Sequence, residues 1–359
     1  MRVVEYAPHL FGSLQRIAEH VGPGSSLTQR AFVDHYYAGS EWCSLLMMLA
    51  DDGSAIATIG LEKMPFVYDS QEICLGCGSN FYSLRPGVGS YLFLSWLRLS
   101  SAGLVLRGTE DTHRILRSQK WMYIKGVRTY ELNRAYLAYP AEAGWRVAAK
   151  WVMRHTRPQR PLPERVLRMV GNIPSEFSVR EERRYTQDLL PRRSPFRFRF
   201  APSADYLNWR YNTSLSFVRY RLFRVLQNAD TVGYVILNDS PDRIVVAQCD
   251  GEDVETLAYG VVLSVLEATY DDAELRPISL ASSHAQMQVI YEQFGFKERW
   301  IDRSFAVSPL RNLHVDPDTS SWLVNLDWGD DVLFGLFLEP ALPPVTQTVE
   351  SRPITGTGG

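Results

Sequence analysis

One order of elements is written twice along this chain. Helix-like spacing over residues 8–20 (Leu10, Leu14, Ile17, Ala18) and 28–37 precedes three strand-like runs at 42–49, 56–64 and 72–81. The turns Asp51-Asp52-Gly53 and Asp69-Ser70 separate them. A helix over about 90–101, a short buried strand Leu104-Val105-Leu106, a helix at 110–119 and a last strand at 121–132 complete the set. From Tyr206 the order recurs with a shorter beginning: the end of an entry helix, then strands at 217–225, 231–237 and 243–248. A helix over 251–269, a strand at 278–280, a helix at 283–294 and a strand at 297–307 follow. In the longest helix Val254, Leu257, Ala258, Val261, Val262, Val265 and Leu266 form one apolar stripe. Such a repeat predicts two units of one topology.

The chain has 359 residues and 45% apolar content, enough to give each unit a core of ordinary size. Its net charge of -2 supplies no global attraction for nucleic acid, which is not an expected partner. The start, Met1-Arg2-Val3-Val4-Glu5-Tyr6, lacks the build of a signal peptide, and no run of ~18 apolar residues occurs, so no membrane span is expected. The expected location is the cytoplasm, where the Asn212-Thr213-Ser214 sequon has no use. The cysteines, Cys43, Cys74, Cys77 and Cys249, make no disulfide framework. Cys74 and Cys77 stand three apart in a strand-like run and face opposite sides, with no His nearby, so buried thiols and no metal are expected. Between the units, residues 136–200 are rich in Arg and Pro, including Arg154, Arg165, Arg184 and Arg199. This stretch reads as a helical linker, with neighbours such as Glu164 and Glu181 balancing its charge. Residues 341–359 read as a disordered tail.

Chemistry first suggests itself at Arg85-Pro86-Gly87-Val88-Gly89-Ser90, between a strand-like and a helix-like run. Helix N-termini bind pyrophosphate because their first N–H groups lack partners and the dipole there is positive. Glycines let such a ligand approach the backbone, and Arg85 adds a positive charge. The equivalent junction of the second unit is Asp250-Gly251-Glu252-Asp253, with Asp250 expected as the N-cap. Three carboxylates there would repel a pyrophosphate.

These features resemble the GCN5-related N-acetyltransferase (GNAT) superfamily, whose pattern at this loop is Arg or Gln, two residues, Gly, one residue, then Gly or Ala. Gly87 and Gly89 match, whereas the leading basic position falls on Leu84. Tyr291-Glu292-Gln293-Phe294-Gly295-Phe296 resembles the segment in which a Tyr protonates the departing thiolate, although the usual preceding Asn and Ala fall on His284 and Met287. In the first unit that register puts Leu116 on the Tyr and Lys120-Trp121 on the Gly-Phe, with Tyr123 as a nearby substitute. The stretch from Asp205 through Trp209, Arg210 and Tyr211, and the later Ser321-Trp322-Leu323-Val324-Asn325-Leu326-Asp327, resemble bacterial tandem acetyltransferase-like proteins associated with polysaccharide assembly.

The resemblance implies an α/β (α+β) fold of two tandem GNAT-like domains, each a mixed, mostly antiparallel sheet flanked by helices. The expected boundaries are 1–135 and 201–340. It implies acyl transfer from acetyl-CoA to a small-molecule amine, such as an amino sugar or sugar nucleotide. Arg85, Gly87, Val88, Gly89 and Ser90 would hold the donor, Tyr291 and Tyr123 are candidate catalytic residues, and Arg210 would meet an acceptor's anion. Glu62, Glu72, Asp111 and His113 are candidates for the amine base, none with a distinguishing context. Two other readings stand beside this one: an aminoacyl-tRNA-dependent aminoacyltransferase of the peptidoglycan-bridging type, and a tandem-domain scaffold without activity.

Overall fold

The computed structural model describes residues 1–22, 25–99, 102–106, 109–132, 173–269, 276–299, 305–308, 316 and 318–327. In chain order the first half contributes β1 (Arg2–Glu5), α1 (Gln15–Val21), α2 (Arg30–Tyr37), β2 (Cys43–Leu49), β3 (Ala55–Tyr68), β4 (Gln71–Ser83), α3 (Val88–Leu99), β5 (Gly103–Leu106), α4 (Glu110–Ser118), β6 (Met122–Ile124) and β7 (Arg128–Leu132). Then come β8 (Phe177–Glu182), β9 (Phe198–Phe200), α5 (Ala204–Arg210), β10 (Tyr220–Gln227), β11 (Asp230–Asp239), β12 (Ile244–Gly251), α6 (Val254–Thr269), β13 (Ile278–Ser282), α7 (Ala285–Gln293), β14 (Lys297–Arg299) and β15 (Phe305–Val307).

These strands form two mixed sheets. The first runs β1-β2-β3-β4-β5-β15-β6, with β9 beside β3; the second runs β14-β7-β13-β12-β11-β10-β8. Each half therefore lends a strand to the other. Phe305, Ala306 and Val307 lie between Leu106, Val105 and Leu104 of β5 and Ile124, Tyr123 and Met122 of β6. In return β7 lies between β13 and β14, pairing Tyr130 with Leu280 and with Glu298. The single last strands expected at 121–132 and 297–307 are each two strands in different sheets, so the sheets do not divide at the expected domain boundaries. In the first half the break falls at Gly126, whose φ of +91° lies in the left-handed region.

One core fills the space between the sheets, joining Met47, Phe66 and Leu104 of the first to Leu222, Tyr234 and Ala247 of the second, with α1, α2 and α5 among them. Helices α3 and α4 cover the outer face of the first sheet through Leu92, Trp96 and Leu116, and α6 and α7 cover that of the second. The apolar stripe of α6 is buried throughout, and each such Val or Leu contributes about 1.5–3 kcal/mol. Side-chain oxygens of Thr109, Ser203 and Asp253 accept the N–H groups that open α4, α5 and α6.

The described part of the expected helical linker, 173–200, is not helical: it forms β8, one 3-10 turn at Gln187–Leu189, and β9. Its charges are matched across strands, Glu181 by Arg221 and Glu182 by Arg224, so the charge balance read as a solvated helix serves a strand pairing. The rest of that stretch, 136–172, and the expected tail lie outside the described residues. No helix among the described residues is long and apolar enough to cross a membrane.

Candidate functional site

In each half a parallel strand pair touches briefly and then parts. Strands β4 and β5 pair only at Gly76–Gly103 and Cys77–Leu104, and β12 and β13 only at Ile244–Ile278 and Val245–Ser279. Past that contact β4 bulges, with Asn80 and Phe81 together opposing Ile59 and Asn80 at φ +46°. Buried Asn80 is tied on three sides. Its amide donates to the Tyr37 hydroxyl (2.8 Å), its side-chain carbonyl accepts from Ser26 (2.8 Å), and its backbone carbonyl accepts from Thr58 (2.8 Å). In β12 the extra residue is Ala247, between Val246 opposite Leu237 and Gln248 opposite Ile236.

The glycine loop follows the first bulge. Leu84 N–H donates to the Ile56 carbonyl (2.9 Å) and the Ser83 hydroxyl to the Arg85 carbonyl (2.8 Å), which fix the loop's entry. Gly87 sits at φ +79° with open space where a Cβ would point. At Gly89 a Cβ would come within 3.0 Å of Ser83 Cβ and 3.4 Å of the Phe81 ring, so this glycine lets α3 settle against β4. Arg85, Pro86, Gly87 and Ser90 are exposed and Val88 is half-buried. The amides of Val88, Gly89 and Ser90 stand in the first turn of α3, where N–H groups have no intrahelical acceptor.

The second gap is filled by the chain itself. Cys249 donates its N–H to Asn325 Oδ1 (3.2 Å), Asn325 Nδ2 donates to the Cys249 carbonyl (3.3 Å), and Asp327 N–H donates to the Ala247 carbonyl (3.2 Å). Phe81 stands as far past the parallel contact of β4 as Cys249 does past that of β12. No side-chain amide among the described residues takes Asn325's place there. Asp250 is not the N-cap of α6; Asp253 is, accepting from Thr256 N–H (2.8 Å). Asp250 lies within β12, opposite Tyr234, and is 1% exposed. It pairs with Arg199 and accepts the Gly251 N–H (2.9 Å). Burial pushes it up to about 6, against the pull of Arg199.

The candidate tyrosines have opposite surroundings. Trp121 N–H donates to the Leu116 carbonyl (3.0 Å) and Phe296 N–H to the Tyr291 carbonyl (3.0 Å), after residues with positive φ, Lys120 and Gly295. This shared helix ending places Leu116 and Tyr291 at one structural position. Tyr291 is 1% exposed, packed on Tyr130 of the exchanged strand (6.3 Å between ring centroids) and on Phe296 (5.8 Å), and burial drives its hydroxyl far up. Tyr123 is half-buried, with its hydroxyl 3.0 Å from His113 Nδ1.

Arg210 reaches no acceptor site. It is 1% exposed, donates from Nε to Glu62 (2.9 Å) and from Nη2 to Asp327 (3.2 Å), and stacks on Tyr36 and Tyr211. Burial alone would lower its pKa, yet Asp327 and Glu62 hold it well above the usual range. Glu62, placed by sequence among the candidate bases, is spent in this buried cluster and also accepts from Tyr206. A cavity of about 750 Å³ between the halves is lined by Trp42, Lys63, Glu72, Arg199, Tyr234 and Asp250. It lies at the opposite end of β4 from the glycine loop. Among the described residues no group of three His, Cys, Asp or Glu could hold a metal ion. In the sequence Asn325 and Asp327 carry only the resemblance of the ending they belong to; their setting as two polar residues in the run Trp322-Leu323-Val324-Asn325-Leu326-Asp327 is the local signal of a buried role.

No family model and no curated protein sequence matches the chain. Solved structures do. A probable N-acyltransferase, described as a conserved protein of unknown function, from Enterococcus faecalis V583 superposes with a TM-score of 0.52 at 8% identity, over 85% of this chain and 71% of that one. A tandem GNAT protein from the clavulanic acid biosynthesis pathway gives 0.51 at 10% identity, over 87% of this chain and 99% of that one. A GCN5-related N-acetyltransferase from Kribbella flavida gives 0.51 at 12% identity, over 85% and 71%. The chain has the GNAT fold in tandem, as the resemblance implied.

Proposed function

We propose that the protein is an acyl-CoA-dependent N-acyltransferase that binds its donor in the gap between β4 and β5. The acceptor is a small-molecule amine, an amino sugar or its nucleotide-linked form, and the reaction belongs to the cytoplasm. One observation carries the reading. The first gap ends in an exposed glycine loop at a helix start, whereas the second is filled by the Asn325 amide and opens onto carboxylates. Arg85 and the amides of Val88, Gly89 and Ser90 suit the donor's pyrophosphate, and Gly87 leaves the approach clear. When bound, the donor supplies an activated acyl group as a thioester. The protein must then position an amine against it, stabilise the oxyanion and deliver a proton to the departing thiolate. Tyr123, half-exposed on β6, suits the last task better than the enclosed Tyr291.

Calorimetry with acetyl-CoA tests the reading. One site per chain is expected, and Gly87→Asp, which sets a carboxylate where the pyrophosphate would lie, should weaken binding on the order of 100-fold. An absence of heat and of thermal stabilisation at millimolar acetyl-CoA would remove the acyl-CoA reading and leave the scaffold and the aminoacyl-tRNA-dependent readings.

A further inference from the structure

Tyr123 does not stand alone, and we propose that His113 is a positioning and proton-supplying partner that makes Tyr123 competent to protonate the thiolate of departing CoA. This inference rests on the acyl-CoA reading above. Helix α3 begins beyond the C-terminal end of β4, and α4 begins beyond that of β5, so both helix starts flank the gap where these strands part. Crevices outside the carboxyl ends of parted strands are where such sheets bind ligands. His113 lies in the first turn of α4, its N–H donating to Thr109 (3.0 Å). Tyr123 lies in the row Val105–Ala306–Tyr123 across β5, β15 and β6, one strand of which comes from the other half. Its ring joins the same apolar cluster as Phe81 and Val88 of the glycine-loop region, and Phe93 touches both Phe81 (5.7 Å) and Trp121 (6.2 Å).

The pair is close and specific to this half. The Tyr123 hydroxyl is 3.0 Å from His113 Nδ1 and 3.4 Å from the His113 carbonyl. In the shared register that superposes Leu116 on Tyr291, His113 corresponds to Gln288, which donates to the Ser282 carbonyl (3.1 Å), and Tyr123 corresponds to exposed Glu298. Burial raises the Tyr123 hydroxyl above its ordinary value, which weakens it as an acid; a donor at its oxygen offsets that. The nearest charges, Arg117 and Glu110, are bonded to each other.

In the reaction the amine nitrogen attacks the thioester carbon. As the C–N bond forms, the nitrogen sheds a proton to solvent. The C–S bond breaks with its electron pair going to sulfur, and the Tyr123 proton passes to that sulfur. As His113 Nε2 takes a proton from solvent, the proton on Nδ1 passes to the phenolate oxygen, so the ring stays neutral. The products are the N-acyl amine and CoA as its thiol.

The test follows the thiol of CoA labelled with carbon-13 next to sulfur, titrated by NMR while bound to the full chain. In the wild type the bound thiol should ionise about one pH unit below free CoA, because a hydrogen bond from Tyr123 favours the thiolate. Tyr123→Phe should return it to the free value, with CoA affinity unchanged at pH 7, where the thiol is protonated. His113→Phe should remove at least half of the effect, and His113→Asn, which keeps an N–H donor near the place of Nδ1, should retain it. CoA affinity by calorimetry certifies the fold of each variant. A thiol that ionises in the wild type as in free CoA, or that ignores either His113→Phe or Tyr123→Phe, overturns the inference while leaving the acyl-CoA reading in place. Failure of the wild type to bind CoA overturns both.

Discussion

Beyond the parallel contacts of β4 with β5 and of β12 with β13, both halves open a gap at a bulge, but one gap leads to a bare helix start and the other is closed by the chain's own amide. On the acyl-CoA reading proposed above, the difference would separate chemistry from support within one fold. In the first half the bulge is held by polar side chains, through Asn80, Tyr37, Ser26 and Thr58, and the backbone at the gap has no side-chain amide across it among the described residues. In the second half Asn325 joins Cys249 with three hydrogen bonds, accepting from its N–H and thiol and donating to its carbonyl, and Arg210 anchors the same segment through Asp327. The strand exchange completes the contrast: Tyr123 pairs with Ala306 of the second half, and Tyr291 is packed under Tyr130 of the first. On that reading the filled half would be a frame for the open one.

Three variants put this contrast to the test. The largest effect is expected from Arg210→Ala, which leaves Glu62 and Asp327 buried without their cation. Urea unfolding should show a loss of about 3–5 kcal/mol, and a loss below about 1 kcal/mol would mean that the cluster does not hold the closing segment.

The second concerns pH. Asp250 is raised from 3.8 to about 6, so the folded chain holds a proton that the unfolded chain has released across that interval. The Asp250 contribution to stability therefore falls as pH rises from about 4 to about 6 and is level above it, by an amount on the order of 3 kcal/mol, against the opposite slope contributed by His35 and His284, whose pKa burial lowers. Asp250→Asn should flatten that part of the profile, and an unchanged slope would contradict the assignment.

The smallest effect is expected from Asn325→Ala, which removes the three hydrogen bonds to Cys249 at a cost of about 2 kcal/mol. Its acetyl-CoA stoichiometry should remain one; a rise to two would show the second gap to be a closed donor site.

Much of this was legible in the sequence, because apolar periodicity reports which face of an element is buried. The order of both halves, the stripe of α6 and the glycine loop follow from it. Periodicity does not report which sheet a strand joins, so 121–132 and 297–307 each have the pattern of one strand although their ends part company. β1 carries mostly exposed residues, and β8 mixes Arg and Glu, so neither shows an apolar pattern. Asp250 has the composition of a cap but sits inside a strand, where Arg199, far away in sequence, meets it. The closing of the second gap depends on Asn325, whose partner Cys249 lies in a different element, and no local signal joins them.

Amide hydrogen exchange of the full chain with and without acetyl-CoA tests the central claim most directly, since it reports protection segment by segment. Protection is expected over residues 81–92, the bulge, glycine loop and first turn of α3, with residues 247–257 unchanged. Protection over 247–257 with none over 81–92 would contradict the account, because it would place the donor in the gap that Asn325 fills.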